Sequence, residues 1–412
     1  MTRAITDVPT DLQPAIAPHL GELVDFRHDL HAHPELMFEE SRTAARVADA
    51  LDRLGVEHKT GLAGPDGQPG TGVLAHLPAT TGAQGPSVAL RADMDALPIV
   101  ERTGRPYAST NPGVMHACGH DGHTTMLLGA VRVLLALEHR PNPVTFVFQP
   151  AEEGGAGGEK MCDAGALRGA KAGGLGTPVG RIYGLHGWPN LPLGIVATRP
   201  GPLLAATDEF EITVRGTQAH AAYPHLGHDP IVAAAHVVTA LQTLASRRVS
   251  PLDSVVCTVG IIRGGSANNV IPESVQIVGT VRTLRAETRE FARKELFNLA
   301  EQTAAAHRCR AEIDWQVGYP VTHNDPAEFE RLRDTAIGAF GEGRFLRVDE
   351  PTMGGEDFSF YGKHVPACFA FLGLCPPGED PTRAPQLHQP EFDFNDDAIP
   401  TGVELLVRLA LS

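Results

Sequence analysis

Between residues 19 and 30 the apolar side chains Leu20, Leu23, Val24 and Leu30 fall at helical spacing, and His33-Pro34-Glu35 stops the run. A second amphipathic stretch predicts a helix over 41–54, closed by Gly55. Short, nearly all-apolar segments follow at 72–77, 88–91, 144–148 and 181–185, with a helical stretch at 123–137 between the second and third. Strands apolar on both faces, alternating with helices, predict an α/β unit. Its sheet is expected to be mixed but mainly parallel, with helices on both faces.

The pattern changes near residue 200. Residues 208–215 alternate like a half-exposed strand, and 231–244 carry a helical apolar stripe. Two strand patterns (254–262 and 275–282), a helix (288–304) and a last strand (311–317) complete the order βαββαβ, the ferredoxin-like split βαβ arrangement. The expected organisation is therefore a catalytic domain in two segments, 1–200 and 318–412, interrupted by an inserted domain at 201–317.

A chain of 412 residues suits two or three folding units. Its 42% hydrophobic and 20% charged content is that of a soluble globular protein. The formal charge of −15 argues against nucleic acid or an anionic membrane surface as partner. With no uncharged apolar run of about 18 residues, no spanning helix is expected. Residues 1–18 lack a basic region followed by an apolar stretch, so no signal peptide is expected. Six cysteines without framework spacing read as reduced thiols in a cytoplasm.

Chemistry concentrates at Met115-His116-Ala117-Cys118-Gly119-His120-Asp121-Gly122-His123, where one thiol, three imidazoles and a carboxylate occupy nine residues. Glycines at 119 and 122 allow a tight turn that aims Cys118 and His120 at one spot, a donor pair suited to zinc or a neighbouring transition metal. The bland alternative is a polar loop around an inert cysteine. Other acids and imidazoles follow strand carboxyl ends, where open α/β sheets build sites: Asp93 and Asp95, Glu152 and Glu153, and His186. In Gln149-Pro150-Ala151-Glu152-Glu153 one carboxylate can bind metal while the other serves a reacting water as general base.

Arg91-Ala92-Asp93-Met94-Asp95-Ala96-Leu97-Pro98, His116-Ala117-Cys118-Gly119-His120-Asp121-Gly122-His123 and Gln149-Pro150-Ala151-Glu152-Glu153-Gly154, in this order, closely resemble the M20 metallopeptidase family. Within it they resemble the amidohydrolase branch of N-acyl-amino-acid amidohydrolases, hippurate hydrolases and auxin-conjugate hydrolases. The resemblance implies Cys118, His120, Glu153, His186 and His388 as metal ligands and Glu152 as catalytic base. Five ligands exceed the needs of one tetrahedral ion, so two divalent ions are expected, and zinc, manganese, cobalt and nickel all accept such donors. Asp93, Asp95, Asp121 and His123 are expected to orient ligand imidazoles, although turn capping explains Asp121 and His123 equally well.

In the inserted domain, Gly216-Thr217-Gln218-Ala219-His220, Asn268-Asn269-Val270-Ile271-Pro272 and Gly279-Thr280-Val281-Arg282 resemble further family motifs, as does Gly354-Gly355-Glu356-Asp357-Phe358. By that resemblance Asn269 and Arg282 hold a substrate carboxylate, Gly355 lets the backbone approach the substrate, and His220 stabilises the oxyanion. The domain would act as a lid and join two chains into a homodimer, with His220 reaching the partner's centre. The implied activity is metal-dependent cleavage of an N-acyl or N-aroyl amino acid to a carboxylic acid and a free amino acid. A dipeptidase or carboxypeptidase on the same scaffold competes with this reading. A catalytically silent ligand binder also does, though it would have no use for Glu152. Serine-nucleophile chemistry is not expected, because the chain has no Gly-x-Ser-x-Gly elbow.

Overall fold

The computed structural model describes residues 12–412, the side chain of Asp66 excepted, so the first eleven residues of the stretch read for a signal peptide lie outside it. The chain forms two compact units. One holds the residues up to Leu203 with His323–Glu350 and Asp357–Ser412; the other holds Leu204–Thr322 with Pro351–Glu356.

The first unit is built on an eight-stranded sheet. Its order is Glu57–Leu62, Gly72–Leu77, Val144–Gln149, Ser87–Asp93, Val179–Pro192, Ala367–Cys375, Val196–Thr198 and Phe345–Arg347. The four strands from Val144–Gln149 to Ala367–Cys375 run parallel, which puts their carboxyl ends on one side. Antiparallel pairings lie toward the edges. Every residue of Ser87–Asp93, Val144–Gln149 and Ala367–Cys375 is buried, so both faces are covered, as the nearly all-apolar segments 88–91 and 144–148 predict for the first two; Ala367–Cys375 was not anticipated. The edge strand Glu57–Leu62 was not anticipated: Glu-His-Lys-Thr-Gly-Leu has neither an apolar run nor alternation, and it is mostly exposed.

Helices Leu20–Ala32 and Ser41–Leu54 lie where the spacing predicts them, the latter ending at Gly55 with φ +68°. His120–Ala136 begins three residues earlier than expected, and most of its length is buried. Its Leu127, Leu128 and Val131 share a core with Phe146, Phe148, Leu372 and Val403. Truncating Leu128, which is fully buried, would cost about 2–5 kcal/mol. One strand outran its prediction. Val179–Pro192 continues past His186 because residues 186–192 pair on with Phe371–Cys375, including His186 opposite Phe371.

The second unit carries a four-stranded antiparallel sheet ordered Val255–Gly264, Ser274–Thr283, Ala206–Arg215 and Arg310–Val317. Along the chain its elements follow strand, helix, strand, strand, helix, strand, with helices Pro230–Thr243 and Ala286–Ala306. Ala206–Arg215 alternates buried and more exposed residues, and its Ile212 stands opposite both Ile277 and Ile313. Asp229 caps the first helix through the amides of Ile231 and Val232, with Pro230 in its first turn. The face that covers the sheet is Ala233, Ala234, Val237 and Leu241, whereas Ile231 and Val232 of the apolar stripe are exposed. Among the described residues no helix is long and apolar enough to cross a membrane.

Candidate metal centre

The centre grows from the carboxyl ends of the parallel strands. Asp93 ends one strand and pairs in register with Gln149, the end of its neighbour. Beyond Gln149 the backbone turns sharply: Ala151 adopts φ +55° and Ala156 φ +53°. Left-handed alanines each cost roughly 1–3 kcal/mol and persist only where the surroundings hold them. Between them stand Glu152 and Glu153. Opposite, Gly119 at φ +84° precedes the helix His120–Ala136, and a Cβ there would come within 3.0 Å of the Phe394 ring, so the turn calls for glycine. That turn leaves Cys118 and His120 side by side at the helix start.

Cys118 Sγ lies 3.4 Å from His186 Nε2. His388 Nε2 is 3.2 Å from Glu153 Oε1, and the His388 amide donates to the carbonyl of Ala117, tying the C-terminal loop to the cysteine turn. His388 is left-handed at φ +63° and about half exposed, in contrast to the buried Cys118, His120 and His186. Overlapping sets of donor atoms, each mutually within 4.8 Å, link Cys118 with His120 and His186, Cys118 with Glu153 and His388, and His120 with Glu152 and Glu153. All six residues expected to hold metal or act as base are therefore brought together.

The surrounding polar groups fall into two networks. Around the centre, His120 Nδ1 sits 2.9 Å from the Asp95 carbonyl and 3.2 Å from its Oδ1. Asp95 Oδ2 also accepts the Glu153 amide at 2.9 Å. His123 Nδ1 pairs with Asp93 Oδ1 at 2.7 Å, and its Nε2 accepts the Gly187 amide. Arg91 grips Asp93 and Asp357, and the Asp357 amide donates to Glu152 Oε1 at 3.3 Å. Asp121 departs from expectation, because it touches no ligand imidazole. One residue along the helix from His120, and so about 100° around it, it meets His31 Nδ1 at 2.9 Å and Arg27 at 3.1 Å. Arg27, wholly buried, also pairs with Asp393 and Asp396, and His31 reaches Glu101. Although Arg27-His28-Asp29-Leu30-His31 resembles the family, sequence reading gave Arg27 and His31 no role, since their partners are scattered as far as residue 396.

The donor set and its electrostatics fit a cation. His120 Nε2 is buried without a hydrogen-bond partner among the described residues, its Asp93 neighbour lying 3.8 Å off. Although burial opposes it, Asp93 and Asp95 raise the His120 pKa to about 10. Burial first, then Glu153 and Glu152, push the Cys118 thiol well above its ordinary value. His186 is driven the other way by burial and by His123, toward the neutral form that ligates metals. A field that holds a proton on His120 and forbids a thiolate at Cys118 is one that a divalent cation would neutralise.

The second unit holds the remaining predicted residues. His220 pairs with Val270 across a two-stranded ribbon, next in sequence to Asn269, whose carbonyl accepts the Ala221 amide. His220 is exposed, and its Nδ1 accepts the Ala222 amide at 3.0 Å. Gly355 backs against the strand of Arg282: a Cβ there would fall 2.3 Å from Thr207 Cγ2 and 3.3 Å from Arg282 Nη1. The four residues thus form two neighbouring pairs, His220 with Asn269 and Gly355 with Arg282.

A thiol, imidazoles and carboxylates gathered at the strand ends of an α/β sheet are the donor set of a metal-assisted hydrolase. Residues 89–412 match Peptidase family M20/M25/M40, and the chain belongs to that family, on its amidohydrolase branch. It is 41% identical over 381 residues to the N-acetyl-L-cysteine deacetylase of Bacillus subtilis (strain 168), covering 92% of this chain and 85% of that protein. It is 39% identical over 393 residues to the IAA-amino acid hydrolase ILR1-like 4 of Arabidopsis thaliana, covering 94% and 84%. Among solved structures it is similar to the YXEP protein of Bacillus subtilis, described as a dinuclear metal binding peptidase of the M20 family. That likeness has a TM-score of 0.79 at 32% identity and covers 96% of this chain and 98% of the other.

Proposed function

We propose that this protein is a metal-dependent amidohydrolase that splits N-acyl or N-aroyl amino acids into a carboxylic acid and a free amino acid. The observation that carries the reading is the convergence of Cys118, His120, Glu153, His186 and His388 around a buried imidazole nitrogen with no hydrogen-bond partner among the described residues. These five side chains would hold two divalent ions, drawn from zinc, manganese, cobalt or nickel, all of which accept mixed sulfur, nitrogen and oxygen donors. When bound, the ions supply Lewis acidity that polarises the scissile amide and acidifies water. Glu152 takes the proton from the attacking water and returns it to the leaving amine. The Asp357 amide steadies its carboxylate from one side, while Asp95 holds both the His120 ring and the Glu153 backbone.

In the second unit Arg282 and Asn269 bind the substrate carboxylate, with Gly355 leaving room for it, and His220 stabilises the oxyanion. This unit serves as a ferredoxin-like lid and as the dimer contact. The exposed apolar residues Val256, Ile261 and Ile262 on the edge strand Val255–Gly264, and Ile231 and Val232 on the neighbouring helix, support that role. Six free thiols support a cytoplasmic location. The test is release of free amino acid from matched acetyl, long-acyl, benzoyl and indole-acetyl amino acids and from dipeptides, with metal analysis of the same sample. Release from acyl substrates by protein carrying two ions is expected. Cleavage of dipeptides alone, or no cleavage by metal-loaded protein, would overturn the proposal.

A further inference from the structure

Glu152 and Glu153 are delivered by a left-handed, wholly buried Ala151, and that alanine has a dedicated holder. Its amide donates to Glu40 Oε1 at 2.8 Å, and the other Glu40 oxygen accepts the Thr71 hydroxyl at 2.5 Å. Glu40 has no exposed surface. Burial, with Asp95 as a like-charged neighbour, raises its pKa to about 7, a cost that packing alone would not require of this position. The contact sits at the head of a chain of bonds. From Ala151 the backbone passes to the Glu153 amide, which donates to Asp95 at 2.9 Å, and Asp95 meets His120 Nδ1 at 3.2 Å. If Ala151 relaxed to negative φ, the backbone carrying both glutamates would swing and that bond to Asp95 would be lost.

We propose that Glu40 is a positioning residue, clamping Ala151 in the left-handed conformation and so setting the directions of Glu152 and Glu153. This rests on reading Glu152 as the base and Glu153 as a ligand. Glu40→Ala is expected to weaken Zn²⁺ or Mn²⁺ binding by the metal-stripped protein, titrated against a chelating indicator, and to lower kcat, each about 10–100-fold, with KM nearly unchanged. Glu40→Gln keeps a carbonyl acceptor for the Ala151 amide and should stay within about threefold of wild type. Ala151→Gly should be nearly silent alone yet recover much of the loss in the double variant, because glycine takes left-handed φ without a clamp. Circular dichroism confirms folding. Should Glu40→Ala not fold, Glu40→Met, which fills the space without a carbonyl acceptor, replaces it with the same expected loss and rescue. Wild-type metal affinity and kcat in the folded Glu40→Ala or Glu40→Met protein would overturn the clamp, as would a double variant without rescue. If the wild-type protein binds neither metal, the functional reading fails instead, and the clamp is read from melting temperatures. There, non-additive effects of the two substitutions support the clamp, and additive effects overturn it.

Discussion

Cys118 shows how much one residue's chemistry depends on its neighbours. Burial and the carboxylates of Glu153 and Glu152 hold its thiol protonated in the metal-free protein, so the sulfur becomes a strong donor only when a cation is present. Cys118→Ala is therefore expected to lower the metal content of the purified protein, measured by mass spectrometry after dialysis. Two tightly held ions in that variant would remove Cys118 from the ligand set. Cys118 and His120 were legible in the sequence because nine residues crowd their donors together. Asp121 was not, because adjacent residues of a helix face different partners, and its partner Arg27 lies 94 positions away. Glu40 was equally hidden, its acceptor role resting on Thr71 and Ala151, 31 and 111 positions distant.

At the scale of elements, the helix His120–Ala136 is fastened at its first turn by Asp121 to His31 and Arg27 of the helix Leu20–Ala32. Burial opposes charge on His31, yet Asp121 and Glu101 raise its pKa to about 9. A raised histidine gives stability that is full below about 6.5 and lost as pH climbs through about 9. Asp121 is held well below the usual carboxylate range despite its burial, chiefly by His31 and Arg27, so its contribution is lost as pH falls into acid. The melting temperature should therefore decline from pH 6.5 to 9.5. His31→Gln should cost about 3 kcal/mol at pH 6.5 and flatten that decline; an unchanged profile would show that the network does not fasten the helix. The strand Ser274–Thr283 presents Arg282, so methyl esters of good substrates should lose roughly 1.5–3 kcal/mol in kcat/KM. Equal hydrolysis of acid and ester would release Arg282 from that role. Three of the four central parallel strands were legible because burial on both faces leaves a nearly all-apolar record, whereas Ala367–Cys375 was not singled out. The edge strand Glu57–Leu62 and the extension of Val179–Pro192 were not, since pairing partners far along the chain define them.

At the scale of the whole molecule, the second unit presents exposed apolar residues on an edge strand. If His220 completes the site of a partner chain, inactive Glu152→Gln and His220→Ala proteins should rescue each other on subunit exchange. Random equal exchange in a two-fold dimer restores about a quarter of wild-type activity. Proven exchange with no recovery would place His220 within its own chain's site or outside catalysis.

The most direct test of hydrolysis driven by Glu152 beside a metal cluster is a paired measurement on Glu152→Gln: bound metal per chain, and kcat on the best N-acyl amino acid. Near-normal metal content with a kcat about 10²–10⁴-fold lower is the predicted result. Metal content and kcat both near wild type would contradict it.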